Sequence, residues 1–242
     1  MATVKQHYEK VLADVYSWMY GGFKYRLQHN REFLNNHHLT PKGSALAVDL
    51  GAGCGFQSIP LAEAGYSVTA IDMNSRLLEE LKENSGELSI KTVRDDLLDF
   101  DNVVKSSVEL IVCTTDTILH LDSKDKVSLL FTKVFTALEP EGKFIITFRN
   151  LTHELKDQDR FIPVRSDENT IFTCFLEYEP DTVKVHDIIY RKIGGEWKLF
   201  KSFYRKLRLS KEWVEEKLLE CGFRIIESCV KNGFITIINK RF

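Results

Sequence analysis

The sequence has no run of apolar residues approaching the roughly 20 needed to span a bilayer, so no membrane partner is expected. No signal-peptide core follows its first residues, Met-Ala-Thr-Val-Lys-Gln-His-Tyr, and a cytoplasmic location is the expectation. It also has no Cys-x-x-Cys pair. Five cysteines (Cys54, Cys113, Cys174, Cys221, Cys229) are scattered along the chain, most in apolar contexts where a free cysteine is a small buried hydrophobe. That argues against a zinc site or a disulfide framework. Charge of one sign is missing too: 33 Lys and Arg against 35 Asp and Glu leave a net −2. No overall attraction draws the chain to nucleic acid, and no nucleic-acid partner is expected. Repeats and low-complexity linkers are absent. His37 and His38 sit in a polar loop without acidic or cysteine partners, so no metal is expected. What remains is 242 residues, 43% hydrophobic and 28% charged, enough for one large domain or one domain with an insertion.

Along the chain, residues 4–19 place Tyr8, Val11, Leu12, Val15, Tyr16 and Met19 on one helical face. Gly21-Gly22 breaks that helix, and 24–34 reads as a second. From residue 45 strands and helices alternate: strands at 45–50, 68–72, 88–94, 109–114 and 143–148, helices at 58–64, 75–82 and 124–137, with a turn at 138–142. Alternation of this kind implies a parallel sheet with helices on both faces. After Asn150 the pattern changes to extended segments at 171–180, 183–193 and 196–207, an antiparallel meander. A Ser210-capped helix follows, then two strands around Lys231-Asn232-Gly233, the strongest short hairpin signal.

The stretch carrying the chemistry is Ala47–Gly55, Ala-Val-Asp-Leu-Gly-Ala-Gly-Cys-Gly. A buried strand runs into Gly51, Gly53 and Gly55 and then opens a helix, so the backbone turns sharply and a ligand can lie against it. Dinucleotide enzymes use G-x-G-x-x-G, whereas here Phe56 stands where that pattern wants glycine. One strand later, Val68–Asp72 ends in a carboxylate placed to accept both hydroxyls of a ribose. Together they indicate a nucleoside cofactor.

These residues resemble the class I S-adenosylmethionine-dependent methyltransferases, whose first motif is similar to Val48–Gly55. The closest pattern is that of the glycine N-methyltransferase-like enzymes acting on small molecules. The resemblance implies an α/β, Rossmann-like, seven-stranded, mostly parallel sheet with an antiparallel final strand. It implies one domain, 1–242: a helical lid (1–44), a cofactor-binding half (45–150), an antiparallel insertion (151–209), and a last helix and hairpin (210–242). It further implies S-adenosyl-L-methionine as cofactor, with S-adenosyl-L-homocysteine as product.

On this resemblance Asp49 and the three glycines lie near the methionine part of the cofactor. Asp72 takes the ribose, with Met73 beside it. Asp96 and Leu97 meet the adenine, Asp95 being the close competitor, and Thr114 closes that set. Tyr16 covers the cofactor and Arg26 grips its carboxylate. For the acceptor the expectations are Asp116, His120, Arg149, Arg165 and Tyr204, with Arg160 nearby and His120 deprotonating or orienting it. No Asn/Asp-Pro-Pro-aromatic signature and no Pro-Cys nucleophile are present, so the acceptor is expected to be the nitrogen or oxygen of a small molecule. The alternatives are a nicotinamide-dependent oxidoreductase, disfavoured by Phe56, and a module that binds S-adenosylmethionine without turnover. The acceptor's identity and the oligomeric state are left open.

Overall fold

The structure, a computed structural model, describes residues 3–242. Five strands, Leu46–Leu50 (β1), Ser67–Asp72 (β2), Ile90–Arg94 (β3), Val108–Cys113 (β4) and Leu138–Arg149 (β5), pair in parallel. Four more, Phe161–Ser166 (β6), Thr170–Tyr178 (β7), Thr182–Ile193 (β8) and Glu196–Leu207 (β9), form a separate antiparallel sheet in that order. Phe223–Lys231 (β10) and Phe234–Arg241 (β11) complete the first sheet, ordered β10-β11-β5-β4-β1-β2-β3, with β11 antiparallel to β5. The hairpin turn holds Asn232 and Gly233 at φ 51° and 76°, the double positive φ that Asn-Gly tolerates. The fold class expected from the sequence is the one observed.

The parallel strands read as near-continuous apolar runs because both faces are covered. On one face Ala47, Val68, Leu110, Val112 and Ile145 pack with Leu34, from helix Phe23–Asn36, and Leu61, from helix Ser58–Glu63. On the other, Val48, Leu50, Ile111, Phe144 and Ile146 pack against helices Lys124–Ala137 and Lys211–Glu220. Caps fix where these helices start: Asn74 accepts from Leu77 N at 3.1 Å, Ser123 from Lys126 N at 3.2 Å, and Ser210 from Trp213 N at 3.1 Å.

Three expectations need correction. The N-terminal helix is not uniform: Val4–His7 leads into a π turn at Tyr8–Leu12, a 3₁₀ turn at Ala13–Val15 and an α turn at Tyr16–Met19. The turn at 138–142 lies inside β5 as a wide bulge, where pairing with β4 jumps from Val108↔Leu138 to Leu110↔Lys143 and Glu141 takes φ 70°. And β6 was not foreseen; it is an edge strand carrying Pro163, which an edge tolerates.

Candidate active site

At the carboxyl ends of β1, β2 and β4 the glycine loop opens a cavity. Its walls include Gly51, Asp72, Met73, Asn74, Asp95, Leu97, Thr115, Thr117 and His120, closed from above by Val4, Lys5, Tyr8 and Tyr16. Gly51 has φ 75°, and a Cβ there would stand 2.3 Å from Thr117 Cγ2. Both the left-handed backbone and the close approach therefore demand glycine. Gly51→Ala is expected to lower the melting temperature by several degrees and weaken cofactor binding about 10-fold or more, from about 1–3 kcal/mol of overpacking; calorimetric titration and thermal melts check it.

Asp72 organises the loop. Its Oδ2 accepts from Gly53 N at 2.8 Å and its Oδ1 from Asn74 N at 2.7 Å. Burial pushes its carboxyl up, opposed by those amides, so the loop and the acid hold each other. Asn74 N-caps helix Ser75–Ser85 with its Oδ1, leaving its buried Nδ2 without a partner at the cavity wall.

The structure divides the remaining expected residues. Met73, Leu97, Tyr16 and His120 line the cavity. Asp96 does not: its Oδ1 accepts from Leu98 N at 2.9 Å, capping the 3₁₀ turn Leu97–Asn102, and Asp95 takes the place on the wall. Asp49 is sealed beneath the loop, accepting from Ser58 Oγ at 2.6 Å, with burial pushing its carboxyl up to about 7. Its work is to tie β1 to the helix after the loop. Thr114 turns away from the cavity and offers its carbonyl to Thr117 Oγ1 at 2.8 Å; Thr115 and Thr117 line the wall instead.

Among the residues expected at the acceptor, Asp116, at φ 69°, is saturated. It accepts from Lys206 Nζ at 2.6 Å, from Arg149 N at 2.7 Å, and pairs with Arg149 Nε at 3.2 Å. Lys206 and Arg149 hold its carboxyl low despite burial. So Asp116 and Arg149 neutralise each other rather than facing the cavity. Arg165 stacks on Trp18 at 5.3 Å and Arg160 on Phe175 at 5.0 Å, both away from the cavity. Tyr204 packs behind the wall, 5.4 Å from the His120 ring and 4.4 Å from His7.

Several residues here escaped sequence reasoning. His7 is buried and its Nε2 lies 2.7 Å from Asp187 Oδ2, which pins the N-terminal segment to β8. Tyr8 Oη lies 3.5 Å from His120 Nε2. These partners are over a hundred residues apart, and no local pattern announces them. Asn74 alone carried a signal, a helix-start asparagine two residues after the strand-end acid. Burial and the Lys206 charge push His120 down to about 3, so its ring is neutral at physiological pH; its buried Nδ1 has no partner.

A methyltransferase domain family matches residues 47–142, the strands and helices that build this cavity. The YqeM protein of Bacillus subtilis (strain 168), named as a methyltransferase, is 27% identical over 191 residues, covering 77% of this chain and 76% of its own. Residues 47–142 are a methyltransferase domain, on the fold of the class I S-adenosylmethionine-dependent methyltransferases. The methyltransferase is also similar to the glycine/sarcosine N-methyltransferase of Halorhodospira halochloris, 30% identical over 115 residues, 46% of this chain and 42% of that one. Its fold matches S-adenosylmethionine-bound CalS10, an amino pentose methyltransferase from Micromonospora echinaspora, with a TM-score of 0.72 and 11% identity over 90% and 92% of the two chains. S-adenosylmethionine is the cofactor, which sets aside the nicotinamide alternative. The residues present fit it: a glycine cradle that a Cβ would fill, and an orphaned buried donor on the cavity wall, Asn74 Nδ2; Arg26 is not among the wall residues, its guanidinium lying 5.3 Å over the Tyr20 ring. Among the described residues, no helix is long and apolar enough to cross a membrane.

Proposed function

We propose that the methyltransferase acts on the amine nitrogen of a small molecule. In this reading Asp72 takes the ribose hydroxyls, Asn74 Nδ2 donates to the nucleoside, and Asp95 and Leu97 border the adenine. Tyr16 covers the cofactor, Arg26 holds its carboxylate, and residues 1–44 act as the lid that opens for exchange. Bound S-adenosylmethionine supplies an electrophilic methyl group.

The observation that carries the choice of nitrogen is the neutrality of His120. An imidazole pushed down to about 3 is a poor proton acceptor but a good hydrogen-bond acceptor, so it orients an N–H rather than removing a proton. The other titratable wall groups either stand at the glycine-loop and β2–β3 end, Asp72 and Asp95, or are tyrosyl hydroxyls and Lys5. Burial pushes the Tyr8 and Tyr16 hydroxyls well above their usual range, so both stay protonated. An alcohol would need a strong base at the reaction centre; an amine that has already shed its extra proton to water does not. The similarity to a glycine/sarcosine N-methyltransferase and to an amino pentose methyltransferase supports the same class.

The test is transfer of labelled methyl from S-adenosylmethionine to panels of small amines, alcohols and phenols. Transfer to amines is expected, with kcat/KM rising through the acceptor's own pKa and the midpoint moving with the acceptor. His120→Ala is expected to lower kcat up to about 10²-fold by loosening the alignment of the acceptor. Turnover confined to hydroxyl acceptors, or a midpoint fixed near 6.5 for every amine, would reject the reading.

A further inference from the structure

The second sheet has one face that no element among the described residues covers. Its inner face follows the rule for a half-buried antiparallel sheet: Phe172, Leu176, Val183, Val185, Ile189 and Tyr204 are buried. The outer face breaks the rule, since polar residues are expected there. Reading the pairing across the strands, one row is Ile171–Tyr190–Leu199 and another is Phe161–Phe175–His186–Phe203. Between them runs Pro163–Thr173–Ile188–Lys201, and beyond them Trp197 pairs with Lys192. Ile171, Tyr190, Leu199, Trp197 and Phe161 are 41–54% exposed. The aromatic row is already ordered, with Phe161–Phe175 centroids at 4.6 Å, Phe175–His186 at 5.5 Å and His186–Phe203 at 5.0 Å. Contiguous apolar surface of this extent marks an interface rather than scattered surface hydrophobes.

We propose that this face is the dimer interface of the methyltransferase, packed against the same face of a second copy. Two arguments select a second copy. First, area: four strands at about 4.8 Å spacing and four rows about 7 Å apart give on the order of 500 Å² of flat face per copy. Two copies then bury on the order of 1,000 Å², the lower bound for a biological interface. Secondly, shape: two copies of one sheet share one twist, so their faces meet in the aligned sandwich geometry, about 30° apart and about 10 Å deep.

The experiment is sedimentation velocity of the full chain at about 1–50 µM, with the variants Leu199→Glu and Ile171→Lys. Both side chains are already about half exposed, so the variants should fold, which circular dichroism and retained S-adenosylmethionine binding verify. The wild type is expected at twice the 28.0 kDa chain mass, and each variant at the chain mass or with dimer dissociation raised about 100-fold. A wild type that sediments at chain mass throughout overturns the proposal. So does a dimer that survives in both folded variants, or a monomer whose outer face instead binds anionic lipid vesicles.

Discussion

Replacing Asp72 with alanine is expected to weaken S-adenosylmethionine binding by 100-fold or more in calorimetric titration. The carboxylate does two jobs. It anchors the glycine loop through the Gly53 and Asn74 amides, at 2.8 and 2.7 Å, and it stands on the cavity wall with its remaining lone pairs available to ribose. Hydrogen bonds to a charged group contribute about 1.5–3 kcal/mol each, and losing two of them to the ligand is worth two orders of magnitude or more. Asp72→Asn keeps one acceptor oxygen and is expected to fall between alanine and wild type, whereas a general collapse of the fold would treat both variants alike. Burial holds the Asp72 carboxyl above its ordinary range, so binding should also weaken as the pH falls and the acid is neutralised. Unchanged affinity in Asp72→Ala would remove the ribose assignment.

The parts of this site that were legible in the sequence are the local ones. A strand, a glycine turn and a helix are consecutive, so Val48–Gly55 announces its geometry, and Asp72 follows at the end of the next strand. Helix Lys124–Ala137 and the Asn232-Gly233 hairpin were equally plain, because their caps and periodicity are local too. Asp95 and Asp96 show where this stops. They are neighbours with identical chemistry, and only the 3₁₀ turn that Asp96 caps decides which of them faces the cavity. Of the cations expected at the acceptor, only Arg149 meets Asp116, itself expected as an acceptor contact; Asp116 instead pairs with Arg149 and with Lys206, which no local pattern marks. Contacts such as His7 with Asp187 and Tyr8 with His120 depend on how the N-terminal segment falls across the second sheet, which no window of sequence encodes.

His120 gives the other large effect, on stability rather than affinity. Its ring is half-buried on the cavity wall with Nδ1 sealed, and burial pushes it down to about 3, against about 6.5 in the unfolded chain. Between those values the unfolded state binds more protons than the native state, so stability rises with pH and levels off above about 6.5. The native protein thus loses up to about 1.4 kcal/mol for each pH unit below that point. Asp49 acts with the opposite sign. Its carboxyl, pushed up to about 7, makes the native state bind more protons than the unfolded chain between about 4 and 7, so its contribution falls as pH rises through that window. In the wild type the two slopes offset, and a shallow stability curve would hide both. Comparing wild type with His120→Leu isolates one of them, because Asp49 is common to both chains. From pH 7.5 to pH 5 the variant is expected to gain about 2 kcal/mol relative to wild type, read from urea unfolding at each pH. A stability difference that stays constant across that range would mean that His120 titrates alike in both states and is not held neutral at the cavity wall.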